Sequence, residues 1–191
     1  LHKEDSSWKN LLAQVDSLHE DDYPLISIVI PTLNSAHTIG STLDSIKEQM
    51  YPEIQIIIID ACSTDRTLEI IKSYDDLVER IYSVSNFRVY EMLNRGISLC
   101  HGRYINFLYP GDYYIGQRAL LSMVNVIIDN EYPDLVYTSC ILRDESREAK
   151  LLLRPLTIKT LMRGQQPTSI QSTLFRIDSI KKIGKFQIDY Y

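Results

Sequence analysis

No run of apolar residues in this sequence approaches the roughly 20 needed to cross a bilayer, and the N-terminus carries no apolar signal region. No segment of the chain is therefore expected to insert into a membrane. Basic charge is scarce as well: 20 Lys and Arg stand against 25 Asp and Glu, a formal charge of -5. That balance leaves no basic stripe for a phosphate backbone, so a nucleic-acid partner is not expected. The three cysteines, Cys62, Cys100 and Cys140, include no C-x-x-C pair, and His2, His19, His37 and His101 share no ligand spacing on one helix face, which argues against zinc. Reduced, mostly buried thiols in a cytoplasmic protein are expected. No G-x-G-x-x-G follows an apolar run, which disfavours a dinucleotide-binding oxidoreductase. Repeats and low-complexity linkers are absent too. What is present is 191 residues, 45% apolar and 24% charged, enough for one domain with a substantial core.

Apolar periodicity sets out that domain. Trp8, Leu11, Leu12, Val15 and Leu18 recur at helical spacing, which predicts an N-terminal amphipathic helix and linker over 1–23. From 24 onward, strands at 25–30, 54–59, 80–84, 103–108 and 134–142 alternate with helices at about 36–49, 64–74, 89–100 and 117–129. The helical stripes Ile39, Leu43, Ile46, Met50 and Met92, Leu93, Gly96, Ile97, Cys100 read as core. Such alternation predicts a mostly parallel sheet covered on both faces, a three-layer α/β/α sandwich.

Three of the strands end in polar residues. The run I-Q-I-I-I-I-D-A-C-S-T-D (54–65) delivers Asp60; L-I-S-I-V-I (25–30) leads into Pro31-Thr-Leu-Asn34; Y-I-N-F-L (104–108) leads into Tyr109-Pro-Gly-Asp112. In open α/β sheets ligands bind outside the carboxyl ends of the strands, where residues distant in sequence converge.

The segments I-V-I-P-T-L-N (28–34), I-I-D-A-C-S-T-D-R-T (58–67), N-R-G-I (94–97) and F-L-Y-P-G-D (107–112), in this order, resemble the family 2 glycosyltransferases of the GT-A, nucleotide-diphospho-sugar transferase fold. The resemblance runs from about Leu25 to the C-terminus and includes Gln171-Ser-Thr-Leu-Phe-Arg176 and Ile183-Gly-Lys-Phe186. It implies a GT-A domain over 24–191, incomplete in its acceptor-side half. It further implies transfer of a sugar, with inversion, from a nucleotide-diphosphate sugar to a glycan or lipid-linked acceptor, with Mg or Mn. The implied setting is cell-envelope polysaccharide assembly on the cytoplasmic side, compatible with peripheral association at the inner face of the membrane.

By position, Asp60 can accept the imide N–H of a uracil ring, which points to a UDP-sugar; the plainer reading is a strand-end carboxylate satisfied by nearby backbone N–H groups. Pro31 fixes the chain where it leaves the first strand, so that Thr32 can face the same base. Asn34 suits ligand contact and a turn equally. Ser63, Thr64 and Asp65 are all good caps for the helix that follows, and the resemblance adds Ser63 and Asp65 to the nucleoside region. Arg88 is a phosphate contact or a solvated helix-start arginine. Asn94 with Arg95 and Gly96 reads as helix packing near the sugar or phosphate. Asp112 is the single acid retained from the family's metal motif; a Pro-Gly turn with a solvent-facing aspartate is the alternative. Gln171 sits where the family has H-Q-x-x-F, with strand packing as its plain role.

The resemblance places the general base beyond Tyr191, so no base is assigned. Two other readings stay open. One is a non-catalytic nucleotide-sugar-binding or scaffold domain, prompted by Tyr109, Gly111, Ile170 and the altered stretch 86–88. The other is a nucleotidyltransferase, which lacks its glycine-rich phosphate loop in Thr32-Leu-Asn-Ser-Ala36.

Overall fold

The computed structural model describes residues 23–143, 148–151, 156–157, 159, 162–163 and 168–188. The N-terminal helix expected over 1–23 lies outside them, apart from Tyr23. Strands β1 (Ile26–Thr32), β2 (Ile54–Asp60), β3 (Arg80–Ser83), β4 (Tyr104–Phe107), β5 (Leu135–Tyr137) and β8 (Thr173–Arg176) form one sheet in the order β3-β2-β1-β4-β8-β5. The pairs β3-β2, β2-β1 and β1-β4 are parallel, and β8 runs antiparallel between β4 and β5. A mixed α/β sheet with a parallel majority is thus the architecture the residue pattern predicts.

The helices are α1 (Ile39–Lys47), α2 (Thr67–Lys72), α3 (Val89–Leu99), α4 (Ala119–Asp129) and α5 (Ile177–Ile183). Two apolar clusters pack on the sheet. One joins Ile28, Ile30, Ile56 and Ile58 to Leu43 of α1, Ile71 of α2 and Val124 of α4; the other joins Val29, Ile57, Ile59 and Phe107 to Leu93 and Ile97 of α3 and to Ile177 of α5. Alternate residues of β1 and β2 therefore enter opposite layers, as the two-residue period of a strand requires. Both faces are covered, which explains the unbroken apolar runs.

Several expected boundaries shift, among them the helix expected over 64–74, which runs Thr67–Lys72. The helix expected from 36 starts at Ile39, after a turn in which Ser35 O accepts the Thr38 and Ile39 N–H groups, while the amides of Ser35 and Ala36 bond to Thr67 Oγ1 and to Asp65 Oδ2. Met50 lies beyond its end, 58% exposed, and is not part of the core stripe. The single strand expected over 134–142 is two: β5 in the main sheet, and β6 (Cys140–Arg143), which pairs antiparallel with β7 (Glu148–Leu151) in a separate two-stranded sheet. The chain changes sheet at Thr138, whose N–H bonds Ser172 O and whose carbonyl accepts from Thr168 Oγ1. Of the cysteines only Cys100 is buried; Cys140 is intermediate and Cys62 exposed, which corrects the expectation of mostly buried thiols.

Candidate functional site

The carboxyl ends of β1, β2 and β4 lie at one edge of the sheet. Parallel register sets Thr32 beside Asp60, and the Leu108 N–H bonds Val29 O, so the turn at Tyr109–Asp112 leaves close to the end of β1. Asp60 is wholly buried; its Oδ2 accepts the Ser63 N–H at 2.9 Å and its Oδ1 accepts the Ser63 hydroxyl. Next to it the Thr32 hydroxyl is buried without a hydrogen-bond partner. An orphaned buried hydroxyl is costly unless something completes it. Pro31 is buried just before it.

Two loops are stitched together above this edge. The Asn34 N–H bonds Ser63 Oγ at 2.9 Å, and Asn34 Oδ1 accepts the Thr64 N–H at 2.8 Å. Asp65 Oδ2 takes the Ala36 N–H at 3.1 Å, while its Oδ1 takes the N–H and hydroxyl of Thr67 and opens α2. These bonds hold the Asp65 carboxyl below its ordinary range, the Thr67 hydroxyl contributing most. Ser63 and Thr64 do not cap the helix; they lock the loops, and Asp65 does both. Asn34 (φ 47°) and Cys62 (φ 57°) are both left-handed. Asn tolerates that conformation; Cys62 adopts it where the resembled family has glycine.

The turn carrying Asp112 is pinned to α1: the Gly111 N–H bonds Thr42 Oγ1 at 2.9 Å and the Tyr114 N–H bonds Ser45 Oγ at 3.2 Å. Asp112 Oδ2 accepts the Tyr109 N–H at 3.1 Å, and the Gln171 side chain, on the wall of the same cavity, favours the charged form of the carboxylate. Burial pushes the Asp112 carboxyl above its usual value despite both neighbours. Among the described residues it makes no ion pair, and no three His, Cys, Asp or Glu gather as a metal cage. A half-buried carboxylate without a counter-charge fits a hard divalent cation that takes its remaining ligands from phosphate oxygens and water. Beside Asp112 and Gln171 opens a cavity of about 1030 Å³, extending to Met123, Val136 and Ile141. A smaller cavity of about 390 Å³ at Gln55, Glu79 and His101 lies at the amino ends of the strands.

Other candidates sit elsewhere. Arg88 precedes α3, exposed, with its guanidinium 3.2 Å from Glu91. Asn94 is a clasp: its amide donates to Phe186 O at 2.9 Å and accepts the Phe186 N–H at 2.8 Å, while the Phe186 ring stacks on Tyr90 at 5.6 Å. Gln171 lies on a 3-10 turn (Ile170–Ser172), not a strand. Asn106, which the sequence reading passed over, is buried in β4 with its whole amide engaged. A polar residue inside the apolar run Y-I-N-F-L was its one available signal.

Comparison with known proteins gives the family and the fold. The chain is 36% identical over 123 residues to a PGL/p-HBAD biosynthesis glycosyltransferase of Mycobacterium bovis, which covers 63% of this chain and 48% of that protein. It is 35% identical over 92 residues to a putative teichuronic acid biosynthesis glycosyltransferase, TuaG, of Bacillus subtilis, covering 47% of this chain and 36% of that one. The fold matches S. aureus TarS 1-349 in complex with UDP, with a TM-score of 0.69 at 20% identity over 83% of this chain and 48% of that 1-349 chain. It also matches the mannosyltransferase PcManGT of Pyrobaculum calidifontis in complex with GDP-Man and Mn2+, with a TM-score of 0.66 at 18% identity over 96% and 55%. The chain thus spans about half the length, or less, of these proteins. The model of the family described as glycosyl transferase family 2 matches residues 27–181, and the chain belongs to that family.

Proposed function

We propose that this chain forms the donor-binding part of a glycosyltransferase that moves a sugar from a UDP-sugar to an acceptor hydroxyl with inversion, assisted by Mg or Mn. The observation that carries this reading is the pairing of the buried Asp60 carboxylate with the orphaned Thr32 hydroxyl at the sheet's carboxyl edge. Asp60 keeps lone pairs free after accepting from Ser63 and takes the imide N–H of uracil; the Thr32 hydroxyl completes its bonding on the same base. Both groups lie buried beneath the loops joined through Asn34, Ser63 and Asp65, and these loops must part to admit the base. Asp112 holds the cation, which when bound offsets the charge on the leaving diphosphate. The Tyr109 N–H helps fix the direction of the carboxylate, and the adjoining cavity gives the acceptor its approach. The acceptor proton goes to a carboxylate within hydrogen-bond reach of the hydroxyl. Names of relatives that point to teichuronic acid and PGL/p-HBAD biosynthesis support a cell-envelope acceptor, glycan or lipid-linked. No helix of the described residues is long and apolar enough to cross a membrane. The setting we propose, on the family resemblance, is the cytoplasmic side, at the membrane's inner face.

Calorimetric titration with UDP, GDP and CDP, each with and without manganese, tests this on the chain and on its Asp60→Asn and Asp112→Asn variants. UDP is expected to bind best, to weaken in Asp60→Asn, and to lose its manganese dependence in Asp112→Asn. No binding of any nucleotide at millimolar concentration overturns the donor reading. Binding that ignores the metal in all three proteins favours a nucleotide-sugar-binding domain without catalysis.

A further inference from the structure

The main-chain ladder between β4 and β8 ends at Ile105, opposite Phe175. At the next residue the strands part, and the Asn106 side chain bridges the gap. Its Nδ2 donates to Gln171 O at 2.9 Å and to Thr173 O at 2.8 Å, while its Oδ1 accepts the Tyr114 hydroxyl at 2.7 Å. Both donor hydrogens and the acceptor are thereby used, at a residue 1% exposed. Tyr114 lies two residues past Asp112, on the segment pinned to α1, and its ring packs on the core. Gln171, held through its carbonyl, lines the same cavity as Asp112. One amide therefore ties the segment that carries Asp112 to the segment that carries Gln171, through a phenol on one side and main chain on the other.

We propose that Asn106 is a positioning residue that sets Asp112 against Gln171, so that the cation-holding carboxylate and the wall of the acceptor cavity are placed as one unit. The consequence for the cation rests on the donor-site reading above; the mechanical coupling does not. Geometry also explains why an amide is needed. A hydroxyl at position 106 cannot donate twice and accept from a phenol at the same reach, and an apolar residue leaves two carbonyls and a hydroxyl unpaired in the interior.

Tyr114→Phe, which removes a single oxygen, and Asn106→Ala are compared with the unaltered chain by two readouts. Amide hydrogen exchange is expected to quicken in both variants at Gly111–Tyr114 and at Gln171–Thr173 together, while Ala61–Thr67 keeps its protection. Manganese is expected to lose its hold: the gain in UDP affinity on adding Mn2+ falls by about tenfold or more, as for other groups that orient a metal ligand, with metal-free UDP affinity unchanged. Should Asn106→Ala fail to fold, Tyr114→Phe decides the matter alone. Faster exchange over the whole chain, faster exchange in only one of the two segments, or a manganese gain equal to that of the unaltered chain overturns the proposal. Absence of UDP binding in the unaltered chain overturns the donor reading instead, and hydrogen exchange still decides the coupling.

Discussion

Gly96→Ala tests how α3 is seated on the sheet. An ideal Cβ at Gly96 falls 2.3 Å from Val29 Cγ1 and 2.8 Å from Cγ2, where about 3.5–4.0 Å is normal between carbons. Val29 offers no relief: it is β-branched, wholly buried, and sits on β1, hemmed in by β2 and β4. The helix must move by about 1 Å, and with a stiff partner the upper end of the usual overpacking cost, about 3 kcal/mol, applies. Against it stands about 1 kcal/mol from replacing glycine by alanine inside a helix. The net destabilisation is about 2 kcal/mol, which lowers the thermal midpoint of a chain this size by about 4–8 °C. Urea and thermal unfolding of Gly96→Ala, Val29→Ala and the double variant give the coupling. Val29→Ala opens space that the methyl added at position 96 then fills, so the double variant is expected to be more stable than the sum of the singles by about 1–2 kcal/mol. A Gly96→Ala protein as stable as the original, or singles that simply add, would refute close packing of α3 on Val29.

Further expectations concern the edge of the sheet. Asn94→Ala removes both bonds to Phe186 and is expected to cost about 1–3 kcal/mol and to expose 184–188 to faster proteolysis, read by limited digestion. Asp112 gives a pH signature. Its folded carboxyl is raised above the unfolded value, so the wild type loses stability as pH rises from about 4, the ordinary carboxylate range, through the folded value. Asp112→Asn removes that penalty and is expected to unfold at a higher temperature than the wild type at pH 7, with the difference vanishing near pH 3; a less stable variant at pH 7 contradicts the burial argument. Thiol labelling separates the cysteines: exposed Cys62 is expected to react first and to be shielded by UDP. Cys100, pushed up to about 12 by burial, stays inert until the chain unfolds.

Residues that carry their structural meaning locally were readable from the sequence. The runs 25–30 and 54–59 could only be strands buried on both faces, and the polar residues after them had to leave the sheet at its carboxyl edge. Asp65 could be read as the start of a helix because an aspartate two residues before the first helical amides can accept from them. Loop ends were less legible: the sequence shows that Ser63 and Thr64 can cap a helix, whereas the fold offers them Asp60 and Asn34 as better partners.

Tertiary structure alone decided the contacts that join distant segments. β8 enters the sheet between β4 and β5, and nothing periodic in Thr173–Arg176 announces an antiparallel strand there. The clasp between Asn94 and Phe186 spans 92 residues, and the bond from Asn106 to Gln171 spans 65. Periodicity reports which face of an element is buried, because that depends on spacing within one element. It does not report which carbonyl a buried amide will find, because that depends on where a second element is brought by the packing of all the others. The parallel strands of the sheet, its two covered faces and the carboxylate that ends β2 were therefore determined by the sequence read on its own. The setting of Asp112 against Gln171 was decided by the assembled fold, where hydrogen bonds between remote segments replace the ladder at the point where β4 and β8 separate.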